Sequence, residues 1–411
     1  MFHNETIARL LDQSRPGYTL PQQLYVGQEA FDFDTQVMLK SVWLYACTVA
    51  HVKNPGDFFL FALANTSVII VRGRDGAVRA FHNSCRHRGA RVCQGQRGSA
   101  PRLTCQYHMW TYGLDGRLLA ARSMAEGFDK SEHGLVPVAI ENVGGLIFVC
   151  LSDTPPPIDR VKADITAQIG MYDLERCKVA VQDELIEDAN WKLVMENNRE
   201  CYHCDNNHPE LIACLGTDGF GKGLPEDGVP EAKSVAVIAA EREEWKRLGI
   251  YHDLIEFPDD WWHRVMRLPL EDDAVSQTMD GKIACTKLLG PFTEPNTSSL
   301  SIWTQPNSWH HFCCDHVVTF SLMPIAPDKT LVRTSWLVRE DAVEGVDYDI
   351  ANLTAVWRAT NLQDAWLAAI NHQGIADDGY RQGPYSTEEE LIEYFKDFYA
   401  SRARAALAGA A

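Results

Sequence analysis

Two cysteines and two histidines stand in two short, similarly built segments of this 411-residue chain. The first segment holds Cys85 and His87, and the second, after the seventeen residues at 88–104, holds Cys105 and His108. Thiolates and imidazoles bind tetrahedral zinc, and they also bind a [2Fe-2S] cluster in which two thiolates hold one iron and two imidazoles the other. The spacing predicts a metal site but does not decide between these two kinds.

A second group of possible ligands follows about a hundred residues later. Two histidines and one carboxylate on one face of an iron ion are typical of non-heme Fe(II) oxygenases. His203 lies three residues after Glu200, on the same face of a helix, but His208 lies about 140° further around an ideal helix. The two imidazoles could therefore share a metal only if the helix is distorted or ends between them. Pro209 and the polar run at 205–207 favour such an end. The spacing does not identify the carboxylate ligand, because the chain has 56 acidic residues.

Short β-like runs must position the first group. Runs at 58–63, 68–71, 78–81 and 145–151, with a hairpin signal at Arg74-Asp75-Gly76, predict a small β-sandwich with the ligands at the tips of two adjacent loops. Later runs at 299–305, 317–324 and 331–338 predict an antiparallel sheet, and 355–373 predicts a helix that contains Asp364 and ends at Gly374.

Composition excludes several classes of function. The net charge of -18, with no local excess of Lys and Arg, argues against nucleic-acid binding. No apolar run approaches the roughly 18 residues of a membrane helix, and we expect a cytoplasmic protein. The twelve cysteines are interpreted as reduced thiols plus metal ligands, and Cys201 and Cys204 as packed free thiols.

The flanks of both ligand groups resemble one family. The segments Cys85-Arg86-His87-Arg88-Gly89 and Cys105-Gln106-Tyr107-His108-Met109-Trp110-Thr111-Tyr112 closely resemble the ligand loops of Rieske proteins. Glu200-x2-His203-x4-His208, after Asn190-Trp191-Lys192, resembles the catalytic-iron motif of Rieske non-heme iron oxygenases of the alpha-subunit type, and Asn361-Leu362-Gln363-Asp364 resembles their later segment with the third ligand. The resemblance implies a [2Fe-2S] cluster on Cys85, His87, Cys105 and His108, and a mononuclear Fe(II) on His203, His208 and Asp364.

The resemblance also implies a fold and a division into domains. We expect an α+β protein in which a Rieske β-sandwich domain is inserted before a helix-grip-like catalytic domain with an antiparallel sheet and helices. Residues 1–41 would form an N-terminal helical segment that packs on the catalytic domain. Residues 42–153 would form the Rieske [2Fe-2S] domain, and 154–411 the catalytic mononuclear non-heme iron domain.

A carboxylate that hydrogen-bonds an iron-bound imidazole and a cluster-bound imidazole would connect the two metal sites. Glu200 is the candidate for this bridge, between His203 and His108. The resemblance implies a homotrimer, because in the family the short path crosses to a neighbouring subunit. The family usually has Asp at this position, and Glu resembles the branch that acts on quaternary ammonium compounds.

The C-terminal third contains Pro306-Asn307-Ser308-Trp309-His310-His311, Trp336-Leu337-Val338, residues 341–349 and Gly383-Pro384-Tyr385-Ser386. These segments resemble bacterial glycine betaine and proline betaine (stachydrine) demethylases. This implies a monooxygenase that removes an N-methyl group as formaldehyde, using O2 and electrons from a separate NAD(P)H-dependent flavin/iron-sulfur reductase, since the chain has no dinucleotide or flavin fingerprint. Aromatic faces would hold the methylated ammonium ion, and the candidates are Trp303, Trp309, Phe320 and Trp366. Two alternatives stay open: a Rieske oxygenase acting on an aromatic ring or an O-methyl group, and a non-catalytic, zinc-stabilised binding protein.

Overall fold

The computed structural model describes residues 4–215, 241–250, 254–257, 262–271, 273–296 and 298–409. The chain begins with three short helices, α1 (Asn4–Asp12), α2 (Gln22–Val26) and α3 (Gln28–Phe33). The apolar face of α1, with Ile7 and Leu11 buried, packs against the last helix of the chain. The first and last of the described helices therefore lie side by side.

Ten strands follow, in two antiparallel sheets. They are β1 (Leu44–Thr48), β2 (Asp57–Leu63), β3 (Thr66–Arg72), β4 (Val78–His82), β5 (Arg97–Ser99), β6 (Leu103–Thr104), β7 (Thr111–Tyr112), β8 (Leu118–Ala120), β9 (Pro137–Val143) and β10 (Leu146–Cys150). The larger sheet has the order β1-β10-β9-β4-β3-β2-β5, and the smaller has β6-β7-β8. The strands predicted at 58–63, 68–71, 78–81 and 145–151 are thereby confirmed. Gly76, with φ +80°, makes the predicted turn between β3 and β4.

A separate small core lies under the two loops that carry the first predicted ligand group. Ile69 and Val71 of β3 pack there with Leu103 and Trp110, and the sulfur-bearing side chains of Cys85 and Cys105 belong to the same cluster of buried residues. The two loops are thus fixed from below by apolar contacts, while their tips face outward.

The second half of the chain is built on another seven-stranded antiparallel sheet. Its strands are β11 (Cys177–Glu187), β12 (Ile255–Glu256), β13 (His263–Pro269), β14 (Ser298–Thr304), β15 (Ser308–Phe312), β16 (Val317–Ala326) and β17 (Lys329–Arg339), in the order β11-β17-β16-β15-β14-β13-β12. Its helices are α4 (Asp159–Ile169), α5 (Trp191–Asn198), α6 (Cys204–Asn207), α7 (Pro209–Ile212), α8 (Ile350–Ala376) and α9 (Glu390–Gly409).

Helix α8 spans the sheet and organises this half. The Asp349 carboxylate accepts a hydrogen bond from the Asn352 amide and so caps the helix N-terminus. The helix contacts β11, α5 and α7, and the segment that carries Glu200, His203 and His208 lies between α5 and α7 in sequence. The predicted helix at 355–373 is confirmed, and the observed helix is longer at both ends. The expected α+β fold with an antiparallel, helix-covered sheet is also confirmed. None of the described helices is long and apolar enough to cross a membrane.

Candidate metal centres and substrate surface

Two loops of matching geometry carry the first ligand group. In each loop the amide of the fourth residue after the cysteine, Gly89 or Met109, donates to the carbonyl of Cys85 or Cys105. Both residues have a positive φ, +77° for Gly89 and +60° for Met109. A methionine is rarely found in this left-handed conformation, so the surrounding fold imposes it. The two loops therefore present their ligands in equivalent ways.

The four side chains converge with the sulfurs inside and the imidazoles outside. Cys85 and Cys105 are 3% and 1% exposed, whereas His87 and His108 are exposed with ring centroids 4.6 Å apart. The indole of Trp110 stacks on His87 at 4.9 Å and fixes its ring plane. This arrangement suits a two-metal cluster in which the thiolate-bound iron is buried and the imidazole-bound iron faces solvent.

Tyr112 is a neighbour of this group that sequence reasoning did not assign. Its hydroxyl lies 3.2 Å from the Cys85 sulfur and accepts a hydrogen bond from the Arg86 amide at 3.0 Å. Because the oxygen accepts from the amide, its own proton is available to the sulfur. Burial, followed by the nearby sulfur, raises the pKa of Tyr112, so the hydroxyl stays a donor. A hydrogen bond to a ligating sulfur tunes the potential of a cluster.

The second group lies where one helix stops and two short ones begin. Helix α5 ends at Asn198, His203 stands directly before α6, and His208 joins α6 to α7 with φ -124° and ψ 61°. The prediction that Glu200 and His203 share one helix face is wrong. Both residues lie in the non-helical segment between the end of α5 and the start of α6. The break supplies the distortion that the two imidazoles needed to point at a common position.

Asp364 of α8 completes this second group. Its Oδ1 lies 3.3 Å from Nε2 of His203 and 3.0 Å from Nε2 of His208. Two ligand atoms each about 2.1 Å from an ion, at about a right angle, would lie about 3.0 Å apart. Within the described part of the chain, Nε2 of His208 and Oδ1 of Asp364 are buried without a hydrogen-bond partner. The donor set therefore fits a divalent metal ion.

The charges around these atoms also suit a cation. Burial alone would lower the pKa of His203, but the carboxylates of Asp364 and Glu200 outweigh it and raise the pKa to about 10. Burial and the same Asp364 carboxylate act on His208, whose pKa is raised as well. Two carboxylates thus surround two imidazoles, and a divalent cation would balance their negative charge.

Glu200 holds His203 from the side opposite the metal position. Its Oε1 lies 2.5 Å from Nδ1 of His203, and Oε2 accepts a hydrogen bond from the backbone amide of Tyr202. In the described part of this single chain, no hydrogen bond joins Glu200 to His87 or His108. The bridge predicted between His203 and His108 is therefore not formed within one subunit.

The cysteines on either side of His203 are paired. Cys201 and Cys204 form a disulfide across the turn, so the expectation of free thiols is wrong for these two. Their Cα atoms are 4.9 Å apart, across the turn that leads into α6. The other ten cysteines of the described chain are free and buried, as expected for packed thiols and cluster ligands.

Trp309 and Phe320, which are 5% and 0% exposed, form a buried aromatic surface on the sheet. They are directly opposite one another in β15 and β16, so they project from the same face, and their rings stack at 5.1 Å. Trp357 of α8 meets Phe320 edge-on at 4.9 Å. Trp357 lies seven residues before Asp364, which places it on the same face of α8 about 10 Å along the axis. Sequence reasoning missed Trp357, although this helical spacing could have indicated it.

The other two candidate aromatics do not stack with these rings, although Trp303 is directly opposite Trp309 in β14 and β15 and so projects from the same face of the sheet. The guanidinium groups of Arg199 and Arg264 lie 4.9 Å and 5.0 Å from the ring centre of Trp303, which is 1% exposed. Trp366 is 60% exposed, because it lies about 200° around α8 from Asp364. It projects outward with Leu362 and Ile370, at four-residue spacing, as an exposed apolar stripe.

Another group of buried possible ligands, Cys313, Asp315 and His316, is explained without a metal. Oδ1 of Asp315 lies 2.8 Å from Nδ1 of His316, and Oδ2 accepts hydrogen bonds from Ser276 and from the amide of Ala284. The carboxylate thereby anchors the loop before β14, which is a structural role.

Comparison with known proteins agrees with this geometry. Residues 42–139 match the Rieske [2Fe-2S] domain, and residues 174–405 match the catalytic domain of the ring-hydroxylating alpha subunit. The chain belongs to the Rieske oxygenase alpha subunits. It is therefore an oxidoreductase with a [2Fe-2S] cluster and a mononuclear non-heme iron, and both ligand groups described above fit these cofactors.

Within this family, the chain is similar to named oxygenase subunits along nearly its whole length. It is 42% identical to the glycine betaine monooxygenase oxygenase subunit of Pseudomonas aeruginosa (strain UCBPP-PA14), over 96% of this chain and 91% of that protein. The corresponding subunit of Chromohalobacter salexigens is 38% identical, over 97% and 89%. The solved structure of the quaternary ammonium Rieske monooxygenase CntA has the same fold, with a TM-score of 0.72 and 20% identity over 96% of this chain and 97% of that one.

Proposed function

We propose that this protein oxidatively N-demethylates a small quaternary ammonium compound, with glycine betaine as the first candidate and proline betaine (stachydrine) as the second. The observation that carries the proposal is the 42% identity to a glycine betaine monooxygenase subunit over 96% of the chain. The Trp309, Phe320 and Trp357 surface supports it, because a methylated ammonium ion donates no hydrogen bond and is held best by aromatic faces.

We assign the cluster to Cys85, His87, Cys105 and His108, and the mononuclear iron to His203, His208 and Asp364. The assignment is supported by the inward sulfurs and outward imidazoles of the first group. It is also supported by the convergence of Nε2 of both histidines on Oδ1 of Asp364 in the second. We further propose the division into 1–41, 42–153 and 154–411, because β1 to β10 and β11 to β17 form separate sheets.

The iron centre supplies activation of O2, which together with two electrons and two protons yields one water and one oxygen atom inserted into an N-methyl C–H bond. The N-hydroxymethyl product then loses its hydroxyl proton and releases formaldehyde, and the amine keeps the electron pair of the broken C–N bond. The residues of this chain prepare that step. Glu200 holds His203 in the tautomer whose Nε2 lone pair faces the metal, and Trp309, Phe320 and Trp357 hold the ammonium group.

Electron delivery requires a second subunit in this proposal. His108 is exposed beside Tyr107 and Met109, which are 57% and 49% exposed, and Tyr202 next to His203 is 55% exposed. The stripe of Leu362, Trp366 and Ile370 is a further uncovered apolar surface of the single chain. We propose a homotrimer in which Glu200 accepts a hydrogen bond from His108 of a neighbour, and a separate reductase that reduces the cluster.

A single-turnover experiment tests the reaction. The protein is reduced without O2, mixed with one member of a panel of betaines, arenes and methyl ethers, and then exposed to O2. Formaldehyde together with cluster oxidation is expected only with a quaternary ammonium compound. Cluster oxidation with an arene or a methyl ether instead would refute the substrate class, and a colourless protein that contains zinc but no acid-labile sulfide would refute the cofactors.

Glu200→Gln tests the bridge separately. The variant is expected to keep the cluster and the iron but to lose rapid oxidation of the reduced cluster on substrate and O2 binding. Trp366→Glu is expected to prevent trimer formation, which light scattering measures. This variant should show the same slow oxidation of the reduced cluster, although Glu200 is intact. A monomeric variant that turns over at the wild-type rate would refute the inter-subunit path.

A further inference from the structure

The two histidines of the iron site have different partners on their outer nitrogens. Nδ1 of His203 faces the carboxylate of Glu200 at 2.5 Å, whereas Nδ1 of His208 faces Oε1 of Gln363, a neutral amide, at 2.8 Å. Gln363 stands directly before Asp364 on α8 and is 155 residues from His208 in sequence. Helix α8, which supplies Asp364, thus also holds His208 through Gln363.

A further contact fixes which way the Gln363 amide points. Its Nε2 donates a hydrogen bond of 2.8 Å to the Glu210 carboxylate, which accepts but cannot donate when ionised. Turned around, the amide would set its oxygen against that carboxylate and its NH2 group against Nδ1 of His208. Glu210 therefore keeps the amide oxygen on His208, and the oxygen keeps the proton of His208 on Nδ1.

This inference rests on the proposed iron ligands and adds a role to them. We propose that Gln363, oriented by Glu210, is a positioning residue that keeps the proton of the His208 ring on Nδ1 and directs Nε2 at the iron. The iron would then have one histidine polarised by a carboxylate and one held by an amide. The hydrogen-bond partner of a ligating histidine fixes its ring and its basicity, and removal of such a partner typically weakens metal binding about 10- to 100-fold.

A charge swap between positions 363 and 210 tests the proposal. Gln363→Leu removes the acceptor for His208, and Gln363→Glu places two carboxylates against each other. The double variant Gln363→Glu with Glu210→Gln restores a donor-acceptor pair at nearly constant volume. Asn361→Ala is the matched control, because Asn361 also joins α8 to a neighbouring element, through a hydrogen bond to Thr334 at 2.9 Å.

Each variant is prepared with its cluster intact, stripped of mononuclear iron, and titrated anaerobically with Fe(II) against a chromogenic chelator. Gln363→Leu and Gln363→Glu are expected to raise the Fe(II) Kd about 10- to 100-fold, and the double variant to return it to within about threefold of wild type. Asn361→Ala should leave it unchanged. At saturating Co(II), the ligand-field absorption bands should shift in Gln363→Leu and in the double variant but not in Asn361→Ala, because a role limited to packing does not alter the donor strength of His208.

Two results would overturn the proposal. One is a Gln363→Leu variant with wild-type Fe(II) affinity and a wild-type Co(II) spectrum. The other is a double variant that binds Fe(II) as weakly as Gln363→Glu. Asp364→Ala is measured in parallel. If this variant binds Fe(II) as wild type does, the proposed ligand set is wrong, and so is the role of Gln363. If Asp364→Ala loses the iron but the Gln363 variants bind it as wild type does, only the role of Gln363 is wrong.

Discussion

Glu187 should be a neutral carboxylic acid at neutral pH, and its ionisation should weaken the fold. The residue ends β11, is 3% exposed, and has one carboxyl oxygen buried without a hydrogen-bond partner in the described chain. Burial, and then the charge of Asp364, raises its pKa from 4.5 to about 8. The unfolded chain releases this proton near its ordinary pKa, whereas the folded chain keeps it until about pH 8.

The sign and size of the effect follow from this difference. A raised pKa in the folded state contributes stability that is fully present below pH 4.5 and is lost as the pH rises through about 8. Glu187→Gln carries no ionisable proton, so its stability escapes this loss. The free energy of unfolding of the variant, minus that of wild type, should rise by about 2.5 kcal/mol between about pH 5.5 and about pH 7.5. A constant packing cost of the amide cancels in this comparison.

Urea unfolding of both proteins over this range measures the change. Glu184→Gln is the control, because Glu184 is on the same strand but is exposed and paired with Arg333 at 2.8 Å. For this variant, the difference in free energy of unfolding from wild type should change by less than about 1 kcal/mol over the same pH range. Difference infrared spectra of wild type minus Glu187→Gln should show a protonated carboxyl band that fades near pH 8. The reasoning would be refuted if the difference in free energy of unfolding between Glu187→Gln and wild type did not vary with pH and the Glu187 carboxyl were ionised at about pH 6.

Three further perturbations have definite expected outcomes. Asp364→Ala should lose the mononuclear iron and keep the cluster, so iron per chain should fall by about a third while acid-labile sulfide is unchanged; full turnover in this variant would show that Asp364 is not a ligand. Tyr112→Phe removes a hydroxyl 3.2 Å from the Cys85 sulfur and should lower the cluster potential by roughly 60 mV in a spectroelectrochemical titration, since a hydrogen bond to a charged group contributes about 1.5 kcal/mol. Lys192→Met leaves the fully buried carboxylate of Asp34 without its ion-pair partner and should cost about 3–5 kcal/mol in chemical denaturation; an unchanged unfolding midpoint would contradict this.

The sequence by itself determined the chemistry of the two metal groups and the elements around them. Cys85, His87, Cys105 and His108 lie close together in sequence, so short loops suffice to bring their side chains together. The strands at 58–63, 68–71 and 78–81 and the helix at 355–373 were predictable because apolar spacing reports local structure directly.

Only the tertiary structure decided how distant parts of the chain meet. No periodicity relates His208 to Gln363 and Asp364, because their contact depends on α8 crossing the sheet and reaching α7. The distribution of aromatic roles is also a tertiary property. Trp309 faces Phe320 because the register of β15 and β16 pairs them, while Trp366 points outward because it lies on the opposite side of α8 from Asp364. Residue type and spacing specify which ligands are available, whereas burial and partner geometry, which arise only on folding, set their charges and orientations.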